Sequence, residues 1–447
     1  MPRRRERLVL AACVVVAAAL RFTRIGHQSF WLDESYTVDL VQRPFGDMLS
    51  GVASTESTPP LYYALAWLWE KVFGHGEAGL RSLSALFGTL TVPVAWRAAR
   101  EWFDSPRAGL IAAALVAVNP FFVWYSQEAR SYSLLVLMAA LSLLFLGRRA
   151  YAWWAITAAL ALLTHYFSAF LLVPEALWLL WSARERAAWL AVGAVGAVGA
   201  ALVPLAVHQR DLGHTSFIAD LSLRIRLTDL PKKLVTGELG TPTPLIGPLA
   251  GLIAVAAIVY ALRARPGRVL VAMAAAAALL PLLLAAVGAD YLLPRNLIAV
   301  YVPVVLVVAA GLAGRIGLVG AGVICAVALV VNIEVMSDVK LQRDDWRGAA
   351  KALGRATETR VVIVTPEFAK KPLRLYAGSL PPVPPSGVDV REVDVIVNGR
   401  PPKDPAPPAG FTEVSRARTP SYVVVRYQAP TARHFAGVAL LQKGPTQ

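Results

Sequence analysis

Apolar runs long enough to cross a bilayer recur from residue 8 to residue 334, each closed by a short polar interruption. A helical span needs about 20 predominantly apolar residues. On that criterion the runs 8–22, 79–97, 107–124, 132–147, 150–164, 166–182, 187–207, 244–262, 268–287, 295–313 and 315–334 predict about eleven transmembrane helices, the shorter ones drawing on their flanks. The pattern then changes. Residues 337–447 are mixed and Pro-rich, with a helical stretch expected at Trp346–Leu353 and strands at 360–365, 393–397 and 421–427. The predicted fold is mostly α: a membrane domain over 1–336 and a small soluble α/β domain over 337–447, near the usual size of a single domain.

The aromatic-rich segment 60–73 either spans or lies flat in the interface. Loop charge decides between the two. With the segment flat, Arg97, Arg100, Arg107, Arg148, Arg149, Arg184, Arg186, Arg263, Arg265, Arg268 and Arg315 share a side with the Arg-rich N-terminus. With it spanning, they all move to the opposite side. The positive-inside rule favours the flat arrangement. It implies a cytoplasmic N-terminus, interfacial helices in the outer loop 23–78 and an extracytoplasmic C-terminal domain. The first run resembles a signal peptide with Ala17-Ala18-Ala19 as a cleavable stretch, yet so much membrane-embedded chain follows that an uncleaved anchor is expected. One outer loop breaks the charge rule. Residues 208–243 carry Arg210, Arg224, Arg226, Lys232 and Lys233. These either bind a lipid phosphate or stay solvated, and periodicity does not separate the two.

Composition agrees with the pattern. The 447 residues are 56% hydrophobic, with a mean hydropathy of +0.54. Only 16% are charged, against about 25% in soluble domains. The net charge of +15 is dispersed over short loops. Nucleic-acid binding would need it clustered on one soluble face. Cys13 and Cys325 both sit in apolar runs and imply neither a disulfide framework nor a metal site.

The same charge parity gathers the polar islands on one outer level. Asp33 and Glu34 lie in Trp31-Leu32-Asp33-Glu34-Ser35-Tyr36. Arg81 opens the second span. Tyr125, Glu128 and Arg130 fall between the third and fourth, His165 after the fifth, and Tyr291 and Arg295 between two late spans. Ionisable groups at membrane depth are costly and usually line a functional cavity. Each also has a plain reading. Asp33 and Glu34 suit solvated interface positions. Arg81 and Arg295 suit snorkelling. Glu128 and Arg130 suit a mutual pair or a helix cap. His165 suits an interface histidine, and Tyr62 an aromatic belt.

Taken together, the residues suit transfer of a sugar from a lipid phosphate. An acceptor hydroxyl needs a base, which Asp33 or Glu34 supplies. A leaving phosphate needs positive charge, which Arg81, Arg130 or Arg295 supplies. Tyr62, Tyr125, Glu128, His165 and Tyr291 complete the candidate substrate-binding set. One carboxylate base without a carboxylate nucleophile implies a single displacement with inversion, by analogy with glycosidases.

The order Asp33-Glu34, then Thr58-Pro59-Pro60-Leu61-Tyr62-Tyr63, then the stretches 79–92 and 119–132, resembles bacterial polyprenyl-phosphate-sugar-dependent glycosyltransferases of the GT-C fold. These include protein O-mannosyltransferase-like and aminoarabinose-transferase-like enzymes. The resemblance covers roughly residues 1–335 and is sharpest over 25–145. It implies an active cavity on the outer face and Asp33 as the base. The donor it implies is a polyprenyl-phosphate-linked sugar, mannose or a pentose-like sugar, and the acceptor a lipid, glycan or protein. Two departures stand out. Thr58 precedes Pro59-Pro60 where protein mannosyltransferases have a His, and the Lys of aminoarabinose transferases near that point is absent. Oligosaccharyltransferases and polymerases of the same fold hold a divalent metal on several acidic ligands. Asp33, Glu34 and Glu128 form no tight acidic cluster, so a reaction without metal or other cofactor is expected.

Two rivals use the same residues. A transporter or flippase of lipid-linked sugars would place its polar site at the midplane between internal repeats. No repeat is visible, and the charges cluster at one face. A non-catalytic scaffold for the tail has no use for Asp33, Glu34, Glu128 and Arg130 at one level.

Overall fold

The computed structural model describes residues 3–240, 245–356, 359–380, 382–384 and 386–435. The helices begin with α1 (Arg3–Phe22), α2 (Leu32–Val41), α3 (Phe45–Thr55), α4 (Leu61–Phe73), α5 (Glu77–Phe103), α6 (Pro106–Val118) and α7 (Pro120–Ser126). They continue with α8 (Tyr132–Gly147), α9 (Tyr151–Thr164), α10 (Ala169–Ser182), α11 (Arg186–Asp211), α12 (Phe217–Asp220) and α13 (Leu223–Thr236). Then come α14 (Ile246–Ala261), α15 (Arg265–Ala286), α16 (Tyr301–Gly311), α17 (Gly317–Ser337) and α18 (Trp346–Leu353). Strand β1 (Arg360–Thr365), helix α19 (Lys370–Ala377) and strands β2 (Val388–Asn398), β3 (Thr412–Arg418) and β4 (Tyr422–Phe435) close the chain.

Contacts divide the chain into two units: Met1–Gly26 with Tyr36–Ser337, and His27–Ser35 with Asp338–Gln447. The short segment 27–35, which carries Asp33 and Glu34, therefore groups with the C-terminal residues.

Each predicted span of the first unit falls on one helix or on a helix with its adjoining turn, except 107–124, which the bent pair α6–α7 divides; residue 244, the first of the run 244–262, lies outside the described residues. Among the described residues, five helices are long and apolar enough to cross a membrane, and six if the bent pair α6–α7 is one span. The apolar helices α8, α9, α10 and α14 are shorter. Helix α4 has 13 residues, about 20 Å at the helical rise, which falls short of a hydrocarbon core about 30 Å thick. Its Tyr62 and Tyr63 are wholly buried.

Local chemistry explains the 55° bend between α6 and α7. Pro120 offers no N–H to the Val116 carbonyl and disfavours helical backbone at the residue before it. Asn119 accordingly adopts φ −56, ψ 121, and its side-chain oxygen caps α7 by accepting from the Phe122 N–H at 3.0 Å. The carbonyls released by the break find other partners. Arg21 of α1 donates to the Val116 carbonyl at 2.9 Å and the Ala117 carbonyl at 2.7 Å. Asn332 of α17 donates to the Val118 carbonyl at 2.8 Å. Each would otherwise be an unmet acceptor in an apolar interior. Gly88 of α5 leaves the room: a Cβ there would run into Ser126 Oγ and come within 2.8 Å of Arg21 Nε.

Another buried polar contact joins α8, α9 and α10. Glu175 is wholly buried and accepts from Trp154 Nε1 at 2.8 Å and Ser142 Oγ at 3.1 Å.

In the second unit the strand order is β1-β2-β4-β3, with β1 parallel to β2 and the other pairs antiparallel. The parallel pair needs a crossover, and α19 provides it. Alternation along β2 separates two cores. Val393 and Val395 pack with Val423, Val425, Phe411 and Phe435, while Ile396 packs with Trp346, Leu353 and Leu373 from α18 and α19. Next to Ile396 on its face, Asp394 is wholly buried. Burial pushes its pKa above the ordinary carboxylate value, and the Arg426 hydrogen bond partly offsets that. Arg360 and Arg426 pair with it at 3.1 and 2.9 Å. Arg360 also donates to the last carbonyls of α18, Leu353 and Gly354, at 3.0 and 2.9 Å, a cationic cap where the helix dipole is negative.

Candidate functional site

Buried polar side chains of the first unit concentrate where α4, the α7–α8 turn and α11 meet. Arg130 in that turn is 7% exposed and binds Glu56 with both terminal nitrogens, each at 2.8 Å. This two-pronged geometry suits guanidinium and carboxylate. The Tyr63 ring lies 5.7 Å from the guanidinium carbon, and Thr37 of α2 accepts from Arg130 Nη1 at 3.5 Å. Tyr62 shares a hydrogen bond with Ser84 of α5 at 2.9 Å, and Ser84 Oγ donates to the Arg130 carbonyl at 3.3 Å. Gln209, at the end of α11, donates to the Val52 and Thr58 carbonyls at 2.9 and 3.2 Å and accepts from Tyr166 at 2.8 Å. So α3, α4 and the turn carrying Arg130 are held from several sides.

A row of rings runs on from this point. Tyr125 meets Tyr132 at 4.7 Å between centroids, Tyr132 meets His165 at 5.7 Å, His165 meets Phe167 at 5.1 Å and Phe167 meets Tyr291 at 5.1 Å. His165 is 2% exposed, and its Nδ1 accepts from the Phe167 N–H at 3.3 Å. Burial first, then the charges of Arg130 and Arg295, hold the imidazole well below its usual range, at about 3. It therefore stays neutral at physiological pH. Arg295 is half-buried and close enough for its charge to act on this ring.

Helix α13 and the residues just after it supply other polar partners. Tyr125 donates to Glu238 at 2.9 Å, and Lys233 donates to the same carboxylate at 2.6 Å. Arg226 donates to Asp290 at 2.7 Å, which holds that carboxyl below its ordinary value. Of the five basic residues expected either to bind phosphate or to stay solvated, Arg226 and Lys233 are thus held by acidic partners. Arg210 forms an exposed pair with Asp211 at 2.9 Å, and Arg224 and Lys232 lie exposed. Beside α13, Leu230, Leu234, Ile258, Leu270, Ala274 and Tyr301 line an apolar cleft of about 300 Å³.

Of the remaining candidates, Arg81 is 1% exposed and donates to the Ile25 carbonyl at 3.1 Å, and Glu128 is 1% exposed. In the second unit, Asp33 and Glu34 occupy the first turn of α2 and differ sharply. Glu34 is wholly buried and its Oε2 accepts from the Trp31 N–H at 3.2 Å. Asp33 keeps part of its surface exposed. Among the described residues, no three His, Cys, Asp or Glu side chains are grouped as a metal site.

Sequence reasoning singled out Arg130 and Tyr125 but passed over their partners Glu56 and Glu238, and it passed over Gln209, which holds Tyr166 and the Val52 and Thr58 carbonyls. Glu56 stands two residues before Thr58-Pro59-Pro60, and an acidic residue beside that motif was the one local signal available.

Comparison with known proteins adds a family match over part of the chain and a fold. Residues 57–208 match the family described as dolichyl-phosphate-mannose-protein mannosyltransferase. An uncharacterized protein of Aquifex aeolicus (strain VF5) is 28% identical over 116 residues, which is 25% of this chain. The match spans 23% of that relative's length. Among solved structures, ArnT from Cupriavidus metallidurans bound to undecaprenyl phosphate superposes with a TM-score of 0.54 at 15% identity, covering 95% of this chain and 98% of that one. The archaeal oligosaccharyltransferase AglB from Archaeoglobus fulgidus, in complex with an inhibitory peptide and a dolichol-phosphate, gives 0.54 at 14% identity over 84% of this chain and 64% of that one.

Proposed function

We propose that this chain, whose residues 57–208 match the family described as dolichyl-phosphate-mannose-protein mannosyltransferase, moves a mannose or pentose-like sugar from a polyprenyl phosphate to an acceptor hydroxyl, with Asp33 as the base. The family is one of glycosyltransferases that draw on lipid-phosphate sugars, and the fold is of the GT-C type. The division of roles within the Asp33-Glu34 pair carries the finer reading. Glu34 is buried and tied to the Trp31 N–H, so it serves the backbone, while Asp33 retains exposed surface at the start of the same helix.

In the step, the acceptor oxygen attacks the anomeric carbon as Asp33 takes its proton. The bond from that carbon to the phosphate oxygen breaks, and its electron pair leaves with the polyprenyl phosphate. One displacement inverts the anomeric centre. The departing phosphate gains charge and calls for a cation in a poorly solvated place. Arg130 is paired with Glu56, and Arg81, Arg130 or Arg295 supplies that charge in this reading. The ring row from Tyr125 to Tyr291 suits a sugar face. The apolar cleft along α13 suits a polyprenyl chain, the kind of lipid bound by ArnT from Cupriavidus metallidurans and by AglB from Archaeoglobus fulgidus.

The test is sugar release from radiolabelled undecaprenyl-phosphate mannose and undecaprenyl-phosphate arabinose by the full chain in membranes, for wild type, Asp33→Asn and wild type with EDTA. Wild type is expected to turn over one donor, and Asp33→Asn to lose roughly 10²–10⁴-fold, the usual contribution of a general base. Full activity in Asp33→Asn sinks the base assignment. Loss in EDTA as well moves Asp33 to a metal-binding role.

A further inference from the structure

Four consecutive residues just ahead of α2 are bound by the C-terminal residues of the second unit. The His27 carbonyl accepts from Arg347 Nη1 at 3.4 Å. Gln28 Oε1 accepts from the Arg343 N–H at 2.8 Å. Ser29 Oγ accepts from the Arg347 N–H at 3.0 Å and donates to Asp345 Oδ1 at 3.3 Å. The Phe30 N–H donates to the Tyr376 hydroxyl at 2.7 Å. Ser29 and Phe30 are 2% and 4% exposed. These partners are themselves fixed. Asp345 caps α18 by accepting from the Gly348 N–H at 2.9 Å, and the Arg347 guanidinium sits 5.8 Å from the Tyr376 ring centre.

The next N–H along the chain, that of Trp31, goes to Glu34. Two successive backbone donors, Phe30 and Trp31, are therefore tied down on either side of the turn that starts α2. A loop whose amides faced water would leave the direction of that turn loose. Here one amide is anchored on α19 and the other on the helix's own first-turn carboxylate, so the placement of Asp33, three residues beyond Phe30, follows from contacts made by α18 and α19.

We propose that the C-terminal α/β residues are a positioning element for the Asp33-Glu34 turn, acting through Tyr376 on the Phe30 amide and through Asp345 on Ser29. The proposal rests on the reading of Asp33 as the base. Misplacing a reacting group by about 1 Å costs up to roughly 10²-fold in rate, and an interaction that aligns a base acts on kcat rather than on donor binding. Tyr376→Phe removes one hydrogen bond and little volume, so kcat is expected to fall roughly 3- to 10-fold, the scale of one such bond, with KM for the donor unchanged.

Two readouts on the full chain in nanodiscs test this. One is amide hydrogen exchange over residues 28–36. The other is kcat and KM with the undecaprenyl-phosphate sugar that the wild type turns over. The variants are Tyr376→Phe, Ser29→Ala and, as a control on β3 away from the segment, Arg416→Gln. Faster exchange over 30–35 with lowered kcat in the first two, and neither change in the control, is the expected result. Unchanged exchange overturns the proposal, whether or not any donor is turned over. Faster exchange with wild-type kcat overturns the positioning role. Asp33→Asn keeps the two ideas apart. Full turnover there defeats the base reading. Loss there alongside wild-type behaviour of Tyr376→Phe and Ser29→Ala defeats this proposal alone.

Discussion

Glu56 and Arg130 show what a single buried pair asks of this molecule. Their side chains are 4% and 9% exposed and joined by two bonds of 2.8 Å. Removing one partner strands a charge where water does not reach, and that costs about 3–5 kcal/mol. Glu56→Ala is therefore expected to lower thermal stability in detergent by an amount of that order. Asp211→Ala, which breaks a pair exposed at 59% and 61%, should cost about 0–1 kcal/mol. Replacing both buried partners, Glu56→Leu with Arg130→Met, should recover most of the loss. Equal effects of Glu56→Ala and Asp211→Ala would show that the buried pair is no better insulated than the surface one. At this scale the sequence pointed to one member of each pair. Arg130 stood out in a short polar island between two apolar runs, and His165 at the end of one. Glu56 did not, because it sits in a polar loop whose burial no local pattern reports.

Helix-level chemistry is concentrated at the Asn119-Pro120 break. Proline starts α7 and the asparagine side chain caps it, as the sequence itself requires. Arg21, Asn332 and the space at Gly88 then let the broken helix stay in an apolar interior. Gly88→Ala puts a methyl group against Ser126 and Arg21, and overpacking of this kind costs about 1–3 kcal/mol. Its unfolding midpoint should drop accordingly. Gly193→Ala on α11, where an added Cβ meets nothing within 4 Å, should leave the midpoint unchanged or raise it. A neutral Gly88→Ala would mean that α1 and α7 yield without cost. The long apolar helices were legible from periodicity and length. Strand β1 matched its expected bounds of 360–365. Helices α2 and α3 fall in the loop 23–78, where interfacial helices were expected without bounds, while α13 and α19 and strand β3 were not foreseen, since each is short and of mixed polarity. Nothing in such stretches rises above loop composition until a neighbour covers one face.

For the whole molecule, the charge parity of the loops predicts eleven crossings, with the N-terminus inside and the C-terminal residues outside. Fusing alkaline phosphatase or green fluorescent protein after residue 435 tests this. An active phosphatase and a dark fluorescent protein are expected, whereas the reverse pair would require an even number of crossings and return α4 to the list of spans. Sequence alone determined the long apolar helices of the first unit, the change of composition near residue 337 and the positions where charge interrupts apolar runs. These features are local, set by length, periodicity and the cost of a charge in lipid. Tertiary structure decided which partners those charges take. Arg130 reaches Glu56 across 74 residues, Tyr125 reaches Glu238 across 113, and Phe30 reaches Tyr376 across 346. It also grouped residues 27–35 with the C-terminal unit. A hydrogen bond between segments so far apart leaves no trace in the pattern of either one, because each end is compatible with water until folding removes it.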